Sequence, residues 1–114
     1  MHAEIVYFDG PRSPDIVAAS TRAGRDRIEP ALAADERFRE EHVATLVLRQ
    51  PHGAEAVVVC TRTEAGLDLV REIVMNTELM PGEDPALLTD PDRVERYVVE
   101  HMTTTSAPFE AVSS

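Results

Sequence analysis

Apolar and polar positions repeat with two different periods along this chain, and the changes of period mark its elements. Residues 3 to 9, AEIVYFD, are β-branched and aromatic and run into the turn sequence GPRSP, which predicts a strand. From Ser13 the period lengthens. Ser13 suits a helix N-cap, Pro14 the first helical position, where a missing N–H is harmless, and Asp15 the positive end of the helix dipole. The helix is expected to run from Pro14 into RIEPALAAD, with Pro30 removing a backbone hydrogen bond and bending it near Asp26 to Glu29. On a helical wheel Ile16, Ala19, Ser20, Ala23 and Gly24 group together, opposite Arg22, Arg25 and Glu29. Such a face of small residues either lets the helix approach a sheet closely or leaves room between them.

Residues 42 to 63, HVATLVLRQPHGAEAVVVCTRT, read as a hairpin with strands 42–50 and 54–63, closed by PHGA with Gly53 able to take positive φ. A second helix follows from about Thr63 or Glu64 to Thr77. Its Leu67, Leu69, Val70, Ile73 and Val74 share one arc, and Glu64, Asp68, Arg71 and Glu72 the other. Residues 78 to 92, ELMPGEDPALLTDPD, form a long acidic, proline-bearing loop, a length at which function is common. A last strand is expected over 93–102. The segment 103–114 reads as a flexible tail, so one domain occupies 1–102. The acid run ADERFREE, 34 to 41, reads as a solvated helix end with pairs such as Asp35 with Arg39.

The order β-α-β-β-α-β is that of the ferredoxin-like fold, an α+β arrangement with a four-stranded antiparallel sheet and both helices on one face. The strands, however, are apolar on both sides. Ile5 and Tyr7 oppose Val6 and Phe8; Val43, Thr45 and Val47 oppose Ala44, Leu46 and Leu48; Val58 and Cys60 oppose Val57 and Val59; Val94 and Val98 oppose Tyr97 and Val99. Helices on one face leave the other as an apolar patch above the ~400 Å² that a soluble monomer usually carries. The expected cover is a second copy, sheet against sheet. The tail, with Phe109, Ala111 and Val112, is too small for it.

Composition narrows the function classes. A net charge of −10, with every basic side chain an arginine and these scattered, opposes nucleic acid as a partner. The longest apolar run is far short of the ~20 residues that span a bilayer, and MHAEIVYFDG lacks the basic and apolar regions of a signal peptide. A cytoplasmic protein without a membrane segment is expected. The single cysteine, Cys60, excludes an internal disulfide and reads as a small buried hydrophobe.

A sheet apolar on both sides within the βαββαβ order of residues 3 to 102 resembles the dimeric α/β barrel superfamily, and within it the small antibiotic-biosynthesis-monooxygenase-like proteins of actinobacteria. The resemblance implies a barrel made by two sheets and a ligand pocket in each subunit between sheet and helices. Superfamily activities include cofactor-free oxygenation of polyketide phenols, polyketide cyclisation and haem degradation. Oxygenase and haem-degrading members typically use an Asn, a Trp and a His. This chain has no Trp, and its Asn76 lies near the end of the second helix rather than in the first strand, which argues against haem degradation and leaves cofactor-free oxygenation without support at the residue level.

Candidate chemistry is sparse. No nucleophile motif, glycine-rich phosphate loop or CxxC is present, and the four histidines lack metal-ligand spacing, so neither metal nor cofactor is expected. Arg27 falls within the small apolar face of the first helix. It is expected to pair with an acid such as Asp9 or Glu4, to reach water past Pro30, or to anchor an anionic ligand. Tyr7 and Tyr97 bring hydroxyls that can donate to a substrate carbonyl or phenolate, and His101 shares the Tyr97 face by strand alternation. Tyr7, Arg27, Tyr97 and His101 are therefore the candidate ligand-binding residues. They fit a homodimer that takes a small apolar aromatic or polyketide-like ligand, with monooxygenase- or cyclase-type catalysis where there is turnover. The alternative is a non-catalytic dimeric accessory or ligand-binding protein.

Overall fold

In a computed structural model, residues 1–105 are described, and four strands form one antiparallel sheet in the order β2-β3-β1-β4. The strands are β1 (His2–Phe8), β2 (His42–Arg49), β3 (Glu55–Thr61) and β4 (Arg93–Val98). The helices are α1 (Pro14–Arg22), α2 (Glu29–Ala33), α3 (Glu36–Glu41) and α4 (Glu64–Met75). This is the ferredoxin-like arrangement that the element order predicts. The expected flexible tail lies, from residue 106, outside the described residues; Thr103 to Thr105 are exposed and irregular.

The first helix begins as its sequence dictates, with the Ser13 hydroxyl accepting the Ile16 N–H at 3.2 Å and Pro14 in the first turn. Its expected bend takes a specific form. Ala23–Ile28 make a π-helical turn between α1 and α2, and the Glu29 N–H reaches back to the Gly24 carbonyl. The wider turn lies directly before Pro30, whose ring and missing N–H forbid a regular α-helical continuation.

Sheet register decides which side chains meet the helices. Val59 pairs with Glu4 and Thr45, Val57 with Val6 and Val47, and Thr61 with His2. Strand alternation then places Val57, Val59 and Thr61 on the helix side with Glu4 and Val6. There Val59 packs with Leu67 and Val70 of α4 and with Phe38 of α3 as the buried core, flanked by Leu32, Val57, Leu69, Ile73 and Val74. The apolar arc read for the second helix is the one that is buried.

The acid run is the main correction. It is not a solvated helix end: Asp35 caps a separate helix, accepting the N–H groups of Arg37 and Phe38 at 2.9 and 3.2 Å, and this seats Phe38 in the core. Asp35 pairs with Arg37 at 2.9 Å, not with Arg39, whose guanidinium donates to the Ala33 carbonyl instead. The strands are also shorter than read. Turn chemistry spans Gln50 to Ala54, with Gly53 at φ +94°, and β4 ends at Val98 instead of Met102.

Candidate functional site

The face of the sheet turned away from the helices is open. Its rows follow from register: Tyr7, Ala56 and Leu48 form one, Ile5, Val58 and Leu46 the next, and Ala3, Cys60 and Ala44 a third, with Arg93, Glu95 and Tyr97 on the β4 margin. Leu46 is 54% exposed, Leu48 50% and Tyr97 45%. Ile5, Tyr7, Val58 and Cys60 are half-buried. Apolar groups thus crowd the middle of an uncovered surface, and polar ones keep to its margin.

At the hairpin end of this face lies a depression of about 250 Å³, bordered by Tyr7, Asp9, Leu48, Gln50, Ala54 and Ala56. Its origin is in the register. Ala56 stands between Tyr7 on one neighbouring strand and Leu48 on the other, so a small side chain is flanked by two large ones. Arg93 lies over the Tyr7 ring, its guanidinium carbon 4.0 Å from the ring centre, a cation–π contact that fixes the phenol. Asp92 accepts the Asp9 N–H at 2.7 Å and donates its own N–H to the Tyr7 carbonyl at 2.8 Å, which holds the start of β4 against the end of β1.

On the helix side of the same sheet end sits a charge cluster. Glu55, 7% exposed, accepts from Arg49 and lies 3.8 Å from Arg12, while Ser20 of α1 donates to it at 3.4 Å. Arg12 also donates to the Gly53 carbonyl at 2.7 Å and stacks 5.2 Å from the Phe8 ring centre. It thereby ties the loop after β1 to the hairpin turn. A second network joins Glu4 to Arg96 at 3.0 Å and Arg96 to Asp68 of α4 at 2.8 Å.

The four sequence-predicted residues do not converge. Tyr7 and Tyr97 both lie on the open face, so neither lines a space between sheet and helices. The Tyr97 hydroxyl donates to Glu95, and that bond keeps its phenol above the ordinary tyrosine range. His101 lies beyond the end of β4, exposed and within 2.9 Å of Thr103. Arg27 forms an ion pair, but with Glu83 of the long loop at 2.9 Å; Glu4 is taken by Arg96. Sequence reasoning also missed Arg93 over Tyr7 and the Arg12–Glu55–Arg49 cluster. The β1–β4 register brings Arg93 to Tyr7, and the hairpin register with the path of the loop after β1 gathers Arg12, Glu55 and Arg49.

Among the described residues no helix is long and apolar enough to cross a membrane, and no group of three or more His, Cys, Asp or Glu side chains could hold a metal ion. No protein-family model and no curated protein matches the chain. A solved structure is similar: a dimeric ferredoxin-like protein from an uncultured marine organism, 11% identical, with a TM-score of 0.59 over 91% of this chain and 92% of that one. The likeness agrees with the sheet order in assigning the ferredoxin-like fold.

Proposed function

We propose that the protein works as a homodimer, sheet against sheet, and that it holds a small, largely apolar aromatic molecule in the Tyr7 depression, which the partner's sheet closes. The observation that carries this reading is the open face itself, apolar at its centre and hollowed where Ala56 separates Tyr7 from Leu48. The structurally similar marine protein is described as dimeric, which supports the first half. At ~25 cal/mol per Å², every 400 Å² of apolar surface withdrawn from water contributes about 10 kcal/mol, against an association cost of ~4–15 kcal/mol.

The sheet edges agree with closure into an α/β barrel. β2 and β4 are the outer strands, and Val47 of β2 with Val94 and Val98 of β4 remain 56%, 45% and 69% exposed on the helix side. An edge with uncovered apolar neighbours and unpaired backbone groups favours pairing with another strand.

On this reading Tyr7 donates a hydrogen bond to the ligand, and Asp9 and Gln50 supply polar groups at the mouth of the depression. An oxygenase- or cyclase-type step, which the resemblance implies, would exchange its proton with Tyr7 or Asp9. The non-catalytic alternative keeps the same dimer and uses the depression for binding alone.

Ala56→Phe tests the site separately from the assembly. Filling the hollow abolishes binding of an apolar fluorescent probe such as 1-anilinonaphthalene-8-sulfonate and leaves the dimer mass unchanged. Unaltered probe binding in the variant would contradict the location.

A further inference from the structure

Arg27 leaves the π-helical turn toward the 78–92 segment, and the contacts it makes there are unlike the rest of that segment. Its Nε donates to both Glu83 oxygens, at 2.9 Å to Oε2 and 3.3 Å to Oε1, and its Nη1 donates to the Thr77 hydroxyl at 2.6 Å. Glu83 Oε2 also accepts the Met80 N–H at 2.7 Å. The Glu83 side chain is 3% exposed and that of Arg27 13%. Around this buried pair Met80, Leu87 and Leu88 are half-buried and local turn bonds shape the segment, but Leu79, Pro81, Gly82, Asp84, Pro85 and Ala86 are exposed, and Arg22 ties it to α1 by one hydrogen bond to the Pro81 carbonyl at 2.9 Å.

Beneath it lies a gap of about 70 Å³ between Ala19 and Arg22 of α1 and Glu83, Leu87 and Leu88 of the segment. On the helix side of the gap the small side chain of Ala19 leaves that space.

We propose that residues 78–88 form a strap that opens and closes as a unit over the first helix, with Arg27–Glu83 as its latch, uncovering the apolar side chains of Ala19, Leu87 and Leu88 beneath it. The inference is independent of the dimer. A segment with little apolar burial and exposed backbone opens at low free energy, and a buried ion pair specifies one closed arrangement more than it adds stability. Loss of one partner leaves a bare charge under the strap. Opening, which returns that charge to water, is then the least costly response. The adjoining π-helical turn is a helix irregularity of the kind found at functional sites.

Hydrogen exchange followed by mass spectrometry on the full chain tests this with Arg27→Met, Glu83→Gln and the double variant R27M/E83M. In either single variant, exchange across 78–88 accelerates by about tenfold or more while β1 and β3 keep their wild-type rates, and fluorescence of the probe 1-anilinonaphthalene-8-sulfonate rises with it. The double variant, which removes both charges together, returns the strap toward the wild-type rate. An unchanged strap in the single variants overturns the latch. Equal acceleration in β1 and β3, or loss of folding, makes the pair part of the core and overturns it too. Faster exchange without added probe fluorescence overturns the uncovering of an apolar surface beneath the strap.

Discussion

Two glycines in helices respond in opposite ways to the same added methyl group. Gly24 has free space where a Cβ would sit, so Gly24→Ala removes backbone entropy from the unfolded chain at no steric cost and stabilises by about 0.5–1 kcal/mol in urea denaturation. Gly66, in the first turn of α4, would set its Cβ 2.4 Å from Glu41 Oε1 and 2.8 Å from Thr61 Cβ. Gly66→Ala is expected to destabilise by roughly 1–3 kcal/mol, because Thr61 is fully buried and has no room to yield. Glu41 itself reports on acid. The Thr63 hydroxyl and N–H hold its carboxyl below the ordinary 4.5, and hydrogen bonding from Arg37 does the same to Asp35 against 3.8. Both bind protons less tightly folded than unfolded, so their contribution is present above those ordinary values and is lost as pH falls through the lowered ones. Glu41→Gln keeps an acceptor for Thr63 and is expected to flatten the fall of the urea midpoint below about pH 4; an unchanged slope would contradict the assignment. Such pairings were largely illegible in the sequence. Arg27 stood out as a cation needing a partner, but Glu83 lies fifty-six positions away, and only the fold of the strap brings it near.

At the scale of elements the sequence was far more readable, since each strand and long helix is marked by a local period or a cap. Ser13–Pro14 and Thr63 start their helices where capping chemistry requires, and the Leu67–Val70–Ile73 arc faces the sheet. The failure was local as well. In ADERFREE seven of eight residues are Ala or charged, and the periodicity of a single apolar residue is no periodicity. Asp35 three positions before Phe38 was the usable signal, because a capped helix of one and a half turns can direct one large side chain inward. Phe38 is 7% exposed and packs with Val59, Leu67 and Val70, so Phe38→Ala is expected to cost about 3–5 kcal/mol. A loss below about 1 kcal/mol in denaturant titration would show that α3 is peripheral. The pairing of β1 with β3 and β4, which neither period nor cap announces, is what puts Tyr7 and Tyr97 outside the helix–sheet layer, and together with the hairpin register it makes the hollow at Ala56.

For the whole molecule, the both-sided apolar pattern of the strands is legible in the sequence, and it poses the same question in three dimensions that it poses in one. Two long helices and α3 cover one side of the sheet; Leu46, Leu48, Val58, Ile5 and Tyr7 occupy the other without cover from this chain's described residues. Placing an arginine on that face is a direct perturbation, because a desolvated, unpaired guanidinium in a sheet-to-sheet interface is far more costly than one in water. Leu46 is already half in water in a single chain, so Leu46→Arg leaves the fold intact and acts on association alone. Sedimentation equilibrium at micromolar concentration is the most direct test. A sheet-to-sheet dimer sediments at about 25 kDa for the wild type, twice the 12.6 kDa chain, and Leu46→Arg at about 12.6 kDa with unchanged circular dichroism. A wild type that sediments at 12.6 kDa across that range contradicts it.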